Sequence, residues 1–276
     1  MQTNHSLLVF TDLDGTLLDS ESYRYEPALP MLEQLKSDDI PVIPVTSKTR
    51  AEVETLIRQL ELKDPFIVEN GSGIFIPAGY GKFASPNIEL VENYHLLQLG
   101  CTYVMARAGL RAIAHKLQRP LQGFGDMDTD KIQQLTGLSK ADAQQAKARE
   151  FTEPFVTPKS IPADQLKQAV QELGFQVVVG DRFSHLIGNP SGKGLAVQKL
   201  TQLYQSALPE NTNITTVGLG NSPNDLAMLE TVDIPIIVPG VKGPHPGLVN
   251  RGWQVAPASG PLGWNLAMEE ICKRFN

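Results

Sequence analysis

The sequence predicts an α/β protein, with a Rossmann-like parallel sheet core and an inserted α/β cap domain. Three observations carry that expectation. Short apolar, β-branched runs alternate with helix-like stretches through the first third, the same rhythm returns towards the C-terminus, and the middle follows a different pattern. Alternation of this kind marks strands joined by crossover helices in a parallel sheet.

Taken in order, residues 6–10 read as a strand, 27–36 as a helix, 42–45 as a strand, 49–60 as a helix and 66–68 as a strand. Thr49 and Glu52 form a Thr-x-x-Glu capping box, which signals the start of the second of those helices. In the last third, 192–204, 223–229 and 261–275 read as helices, and 214–219, 234–238 and 253–255 as strands. Ser222 suits an N-cap, with Pro223 at the first helical position and Asp225 in the first turn.

Segments 76–86 and 188–192 are rich in Gly, Pro and Ser and read as exposed crossings between lobes. The expected division is a core of residues 1–84 and 190–276 and a cap of residues 85–189. Within the cap, 106–117, 139–149 and 162–173 read as helices, and 151–156, 175–179 and 184–187 as short strands.

Composition narrows the class of function. The 276 residues are 41% hydrophobic and 20% charged, enough apolar material for one sizeable core, or for a core plus an inserted lobe. Lys and Arg number 24 against 30 Asp and Glu, a net charge of −6 with no long basic run, which argues against nucleic acid as a partner. A small anionic substrate needs a local basic pocket instead. Cys101 and Cys272 are too few for a disulfide framework or a CxxC zinc site, and they suit a reducing compartment. No basic region followed by an apolar stretch opens the chain, and no window of about 18 apolar residues occurs. The expectation is a soluble, cytoplasmic protein with no membrane segment.

In an open parallel sheet, ligands bind beyond the carboxyl ends of the strands. Four places there carry chemistry: Asp12, Asp14 and Thr16 after the first strand, Thr46 and Ser47 after the second, Lys193 at a helix start, and Asn221, Asn224 and Asp225 after a C-terminal strand. Two carboxylates two residues apart can face one crevice while Leu13 points back into the core, and Gly15 permits the tight path that follows. That spacing suits a nucleophile beside an acid/base; a polar strand-to-turn junction reads the same way. The Thr46 hydroxyl suits a phosphoryl oxygen, although hydroxyls here also start a helix. Lys193 opposes the positive end of a helix dipole, a mismatch that a bound anion relieves, and the plain alternative is a surface lysine beside Gly192. Magnesium takes oxygen ligands from one or two carboxylates, waters and phosphate, so Asp225 and Asn221 suit a site begun by Asp12.

The ordered set Asp12-Leu13-Asp14-Gly15-Thr16, Thr46, Lys193 and Gly220 to Asp225 resembles the four motifs of the haloacid dehalogenase-like phosphohydrolases. A narrower likeness, to the mannosyl-3-phosphoglycerate phosphatase branch, is carried by Val45 to Arg50, Glu69-Asn70-Gly71, Gly123-Phe124-Gly125-Asp126, Thr136-Gly137-Leu138, Arg149 to Pro154 and Arg182 to His185. One position departs from the pattern: Asn221 stands where the fourth motif usually has Asp, replacing a carboxylate with a neutral amide.

The resemblance implies a Mg²⁺-dependent phosphatase that releases phosphate from a glycosyl-3-phosphoglycerate through a phosphoaspartate. It makes Asp12 the nucleophile and a metal ligand, Asp14 the acid/base and a ligand through its carbonyl, Thr46 and Lys193 the stabilisers of the phosphoryl group, and Asn221 and Asp225 the remaining metal ligands. The substrate-binding candidates are Thr16, Ser47, Lys48 and Asn70 in the core, and Arg149, Glu153, Arg182 and His185 in the cap. Glu150 and Glu153 suit sugar hydroxyls or pairing with arginines. Two other readings stand beside this one: a phosphatase of another sugar phosphate, such as sucrose phosphate or a glycosylglycerol phosphate, and a catalytically weak phosphate-binding protein, given Asn221. No Gly-x-Gly-x-x-Gly follows the first strand, which disfavours a dinucleotide-dependent oxidoreductase.

Overall fold

A computed structural model describes residues 5–83, 88–179, 183–209 and 212–275. In chain order the elements are β1 (His5–Thr11), α1 (Leu29–Ser37), β2 (Val42–Pro44), α2 (Arg50–Gln59), β3 (Phe66–Val68), β4 (Gly73–Pro77), β5 (Glu89–Val91) and β6 (Tyr94–Gln98). There follow α3 (Tyr103–Leu117), α4 (Thr129–Thr136), α5 (Lys140–Lys147), β7 (Glu153–Val156), α6 (Ala163–Gln171), β8 (Phe175–Val178) and β9 (Phe183–Gly188). The chain ends with α7 (Lys193–Ala207), β10 (Asn213–Gly220), α8 (Leu226–Leu229), β11 (Ile234–Ile237), β12 (Gln254–Val255) and α9 (Gly260–Phe275).

Five strands form a parallel sheet in the order β12-β11-β10-β1-β2. A parallel bridge between Val45 and Ile67 sets β3 beside β2, so the six core strands follow the doubly wound order, with its reversal between β1 and β10. Ligands bind at that reversal in folds of this kind, because neighbouring crossovers leave in opposite directions and open a crevice.

The period of two along β1 divides the core into two layers. Leu7 and Val9 pack with residues of α1, α2 and α9, while Leu8 and Phe10 pack with Ala196, Val197 and Leu200 of α7 and Met228 of α8. Both faces are covered, which is why the central strands read as continuous apolar runs. The predicted capping box is present: Thr49 Oγ1 accepts from the Glu52 amide at 3.2 Å and Glu52 returns the bond to the Thr49 amide at 2.8 Å.

An antiparallel sheet, β7-β9-β8, backed by α3 and α6, forms a second lobe around Ile113, Phe155, Val170 and Leu186. It contains the strands and helices expected of the cap, together with α4, which the periodicity does not announce. Of the eight residues of α4 only Ile132 is buried, with Leu135 packed beside it, so its apolar stripe is two side chains long; Asp128 caps it and Gly137 ends it.

The segment 76–86 departs from the expected crossing over its described part. Ile76 is buried within β4, and β4, β6 and β5 form an antiparallel meander attached to β3. Strand β6, beyond the expected boundary at residue 84, therefore hydrogen-bonds to β4 before it, and β5 joins the sheet through β6. The chain leaves this sheet at Leu99 and Gly100, whose amides both donate to the Ser72 carbonyl at 2.9 Å. A run such as 73–77 has too few residues to distinguish its partner, and the pairing is fixed by contacts distant in sequence. Among the described residues no helix is long and apolar enough to cross a membrane.

One buried chain of hydrogen bonds ties the C-terminal helix to the rim of the sheet. Trp264 of α9 donates from Nε1 to Thr11 Oγ1 at 3.0 Å, and that hydroxyl donates to the Asp12 carbonyl at 2.8 Å. Trp264→Phe keeps an aromatic ring but loses the donor and leaves a small void. Urea unfolding should show a loss of about 1–3 kcal/mol at unchanged m-value. A variant as stable as the parent would remove this relay from the account.

Candidate active site

The reversal between β1 and β10 brings four sequence motifs to one rim. β1 ends at Thr11, and the Asp12 amide donates to the Leu219 carbonyl of β10 at 2.9 Å, so the first aspartate sits where the two central strands part. Leu13 is fully buried behind it. Gly15 has φ +78°, and a Cβ there would collide with the Asn221 side chain, so this turn needs glycine for both its backbone and its neighbour.

Lys193, the first residue of α7, is 2% exposed and reaches between two carboxylates. Its Nζ lies 2.7 Å from Asp12 Oδ1 and 2.6 Å from Asp225 Oδ1. Asp225 Oδ2 accepts from the amides of Asn221 and Ser222, both at 3.0 Å, which locks its orientation. The lysine that seemed misplaced at a helix N-terminus is thus held by two anions. Burial, and then the neighbouring charge of Asp225, push the Asp12 carboxyl up to about 7 against the opposing pull of Lys193. Burial works against the charge on Lys193, yet Asp12 and Asp225 together hold its pKa above the ordinary lysine value.

Two carboxylates face one ammonium in this buried crevice, an imbalance that favours a second positive charge. Asp12, Asp225, the Asn221 amide and the Asp14 main-chain carbonyl offer only oxygen donors, a chemistry that would fit a hard divalent cation. Among the described residues no cluster of three or more His, Cys, Asp or Glu is arranged for a metal, so such a cation would depend on neutral oxygens as well as on two carboxylates.

Around this centre lie polar atoms without protein partners. Thr46 Oγ1 accepts from the Lys48 amide at 3.1 Å, which leaves its hydroxyl proton for a ligand. Thr16 Oγ1 and Asp14 Oδ1 are sealed from solvent with no hydrogen bond, and so are both Oδ1 and Nδ2 of Asn70. Orphaned buried polar atoms are costly, and a cluster of them beside a charged crevice marks a place where a ligand completes the bonding. Asn70 is presented by a left-handed backbone, with φ +58° between Glu69 at +49° and Gly71 at +85°. A Cβ at Gly71 would run into the Gly192 carbonyl, so this turn packs directly against the start of the Lys193 helix.

Lys48 turns towards the acid/base candidate. Its Nζ is 3.0 Å from Asp14 Oδ2 and 3.8 Å from Glu52 Oε1. Burial opposes its charge, but Asp14 and Glu52 outweigh that and hold its pKa above the usual range. Ser47 contributes its carbonyl, which accepts from Arg149 Nη2 at 3.0 Å.

The second lobe supplies Arg149, Glu153 and His185, while Arg182 lies outside the described residues. Arg149 is largely buried, and Nη2 also donates to Thr152 Oγ1 at 2.8 Å. Glu153 is fully buried; its Oε1 accepts from the Gly125 amide at 2.9 Å and pairs with Arg107 at 3.4 Å. Burial raises its pKa, and Oε2 has no partner. His185, on β9 opposite Pro154 of β7, has a sealed Nδ1 with no hydrogen bond. Burial first, and then the charges of Arg149 and Lys193, lower its pKa to about 3 and keep the ring neutral. His185 therefore feels both the cap arginine and the core lysine, as expected if the three border one crevice. Three residues escape sequence reasoning about the site: Glu69, Thr152 and Arg107. The first two fall within segments that carry the narrower likeness but have no role assigned to them there, and Arg107 lies inside a helix.

A family model described as haloacid dehalogenase-like hydrolase matches residues 9–239. A glucosyl-3-phosphoglycerate/mannosyl-3-phosphoglycerate phosphatase of Persephonella marina is 39% identical over 265 residues, 96% of this chain and 97% of that protein. The protein of the same name from Methanococcoides burtonii is 37% identical, with 98% of each chain covered. Among solved structures, a Thermoplasma acidophilum protein superposes with a TM-score of 0.68 at 16% identity, covering 99% of each chain. The Synechocystis sucrose-phosphatase superposes with a TM-score of 0.62 at 20% identity, covering 98% of each chain. At those identities the superpositions speak for the fold.

The neutral His185 generates a stability prediction. Its folded pKa, about 3, lies below the unfolded value near 6.5, so the unfolded chain binds the proton more readily. Its contribution is intact above about pH 6.5 and is lost progressively as the pH falls towards 3. Relative to His185→Gln, the parent should lose unfolding free energy across that window, measured by urea titration at several pH values. Parallel pH profiles for the two proteins would contradict a buried neutral imidazole.

Proposed function

The chain belongs to the haloacid dehalogenase-like hydrolase family, and on that premise we propose that it is a Mg²⁺-dependent phosphatase of glycosyl-3-phosphoglycerates. The observation that carries the chemistry is Lys193 bridging Asp12 and Asp225, with Asp14 two residues beyond Asp12 at the same strand end. The substrate class is supported by two relatives, each matched over nearly its whole length, whose names give that activity.

In this reading Asp12 attacks phosphorus in line, forming an acyl phosphate as the bond to the leaving oxygen breaks. Asp14 gives that oxygen a proton, then takes one from the water that hydrolyses the intermediate. Asp12 must be ionised to attack, and at a pKa of about 7 it needs additional positive charge beside it. Asp12, Asp225, Asn221 and the Asp14 carbonyl would hold Mg²⁺, which would supply that charge and Lewis-acid stabilisation of a phosphoryl group. Lys193 and the Thr46 hydroxyl act on the same oxygens. Lys48 orients Asp14 through their ion pair. Arg149, Arg182 and His185 read the glycerate end, with Arg182 suited to a bidentate grip on a carboxylate. The two free cysteines agree with a cytoplasmic setting.

The deciding experiment is a phosphate-release panel of mannosyl- and glucosyl-3-phosphoglycerate, sucrose phosphate and an aryl phosphate, with and without Mg²⁺. Release from either phosphoglycerate should require Mg²⁺ and should fall by at least about 10³-fold in Asp12→Asn. A folded protein inert towards every ester would instead favour a phosphate-binding role, and preference for sucrose phosphate a different sugar phosphatase.

The neutral amide at Asn221 generates a separate prediction. Asn221→Asp should lower the Mg²⁺ concentration for half-maximal activity, and an unchanged requirement would count against Asn221 as a ligand. If Arg182 and His185 read the glycerate, alanine at either should harm the phosphoglycerates more than the aryl ester.

A further inference from the structure

Glu69 is a buried carboxylate for which the reaction has no chemical use, and it is more fully bonded than any carboxylate at the rim. Its side chain has no exposed surface. Oε1 accepts from the Glu150 amide at 2.7 Å. Oε2 accepts from the Thr152 amide at 2.8 Å, the Thr152 hydroxyl at 2.6 Å and, more weakly, the Phe151 amide at 3.3 Å. Arg149 Nε lies 3.2 Å from the same oxygen, an ion pair between groups 3% and 0% exposed. Four consecutive residues of the inserted segment thus converge on one core side chain.

Those residues are fastened to the core by other contacts as well. The Phe151 ring covers Gly73, where a Cβ would strike it, and lies 6.3 Å from the Phe75 ring. The Ser47 carbonyl accepts from Arg149 Nη2, next to Thr46. Thr152 Oγ1 both receives from Arg149 and donates to Glu69, so the guanidinium is held on two edges. Its Nη1 has no hydrogen bond among the described residues. The backbone that delivers Glu69 is the left-handed turn that also delivers Asn70, whose amide donates to the Thr46 carbonyl at 2.9 Å.

We propose that Glu69 is a positioning residue that fixes Arg149 in the frame of the phosphate-binding loop, so that an arginine carried by the inserted segment reads the substrate anion from a core-anchored position. The assignment rests on the reading that Arg149 meets an anionic group of the substrate. Residues 149–152 then belong mechanically to the core, and movement of the remaining cap leaves Arg149 in place.

Glu69→Gln tests this. The amide keeps the shape but offers one acceptor where the carboxylate offered two, and it removes the counter-charge of Arg149. The ratio of kcat/KM for a glycosyl-3-phosphoglycerate to that for an aryl phosphate should fall at least tenfold, through KM. An unchanged ratio, including equal losses on both esters, overturns the proposal. If the Gln variant does not fold, Thr152→Val removes the hydroxyl bridge alone, and its ratio should fall at least threefold; an unchanged ratio there also overturns it. Amide hydrogen exchange separates this result from failure of the substrate reading, because it needs no substrate. If the parent hydrolyses neither phosphoglycerate, the substrate reading fails by itself. Faster exchange at Glu150 and Thr152 by tenfold or more in Glu69→Gln, with the β7-β9 ladder unaffected, still supports the clamp, and unchanged exchange overturns it.

Discussion

The rim of this protein depends on one buried ammonium. Lys193 reaches Asp12 and Asp225 from opposite sides of the reversal in the sheet, and none of the three is more than 5% exposed. Burying an unpaired charge costs several kcal/mol, so each of these groups is tolerable only while the others are present. That mutual requirement links three distant parts of the chain: the end of β1, the turn after β10 and the first residue of α7. It also explains why small residues surround them. Gly15, Gly71 and Gly220 each leave room that a side chain would take from a neighbouring member of the rim.

A second carboxylate cluster, at Glu69, stands in contrast. At the rim the charges are left incompletely satisfied, with orphaned oxygens at Asp14, Thr16 and Asn70; at Glu69 both carboxylate oxygens have donors. The two conditions suit different work. A site that must accept a charged ligand retains unused bonding capacity, whereas an anchor consumes its own. The left-handed turn 69–71 joins the two, since it carries the anchor and the unpartnered Asn70 in adjacent positions. Strain of this kind persists only where the surroundings over-determine it, and here the Lys48 and Thr46 carbonyls, the Gly192 backbone and the 150–152 amides all do so.

Much of this was legible in the residues. Leu7 to Phe10 reads as a strand covered on both faces because it is one, and the switch from a period of two to a helical spacing located each core crossover. Asp12, Lys193 and Asp225 were legible as a set because strand ends in a parallel sheet face one rim. The meander β4-β6-β5 was not, since its short runs acquire their identity from partners and a Gly-rich stretch nearby resembles a linker. Helix α4 hid because its apolar stripe is only Ile132 and Leu135. Glu69 lies in the Glu69-Asn70-Gly71 segment that carries the narrower likeness, but its role was not legible, because only the return of residues 150–152 makes it a buried acceptor. For Lys48 the residue type was informative but its partner was not, because reaching Asp14 depends on how two loops meet.

The pairing of β1 with β10 has a consequence for how the molecule comes into being. Those strands contact one another across about 200 residues of sequence, and such long loops are slow to close. On a ribosome, β1 and β2 emerge first and must wait, with an apolar edge open, while the whole inserted lobe is synthesised. The lobe has its own hydrophobic centre around Phe155 and Val170 and can condense in the interval. Only when residue 225 has cleared the exit can Asp12, Lys193 and Asp225 meet. Asp12 is made long before Lys193 and Asp225, and its surroundings are among the last to form.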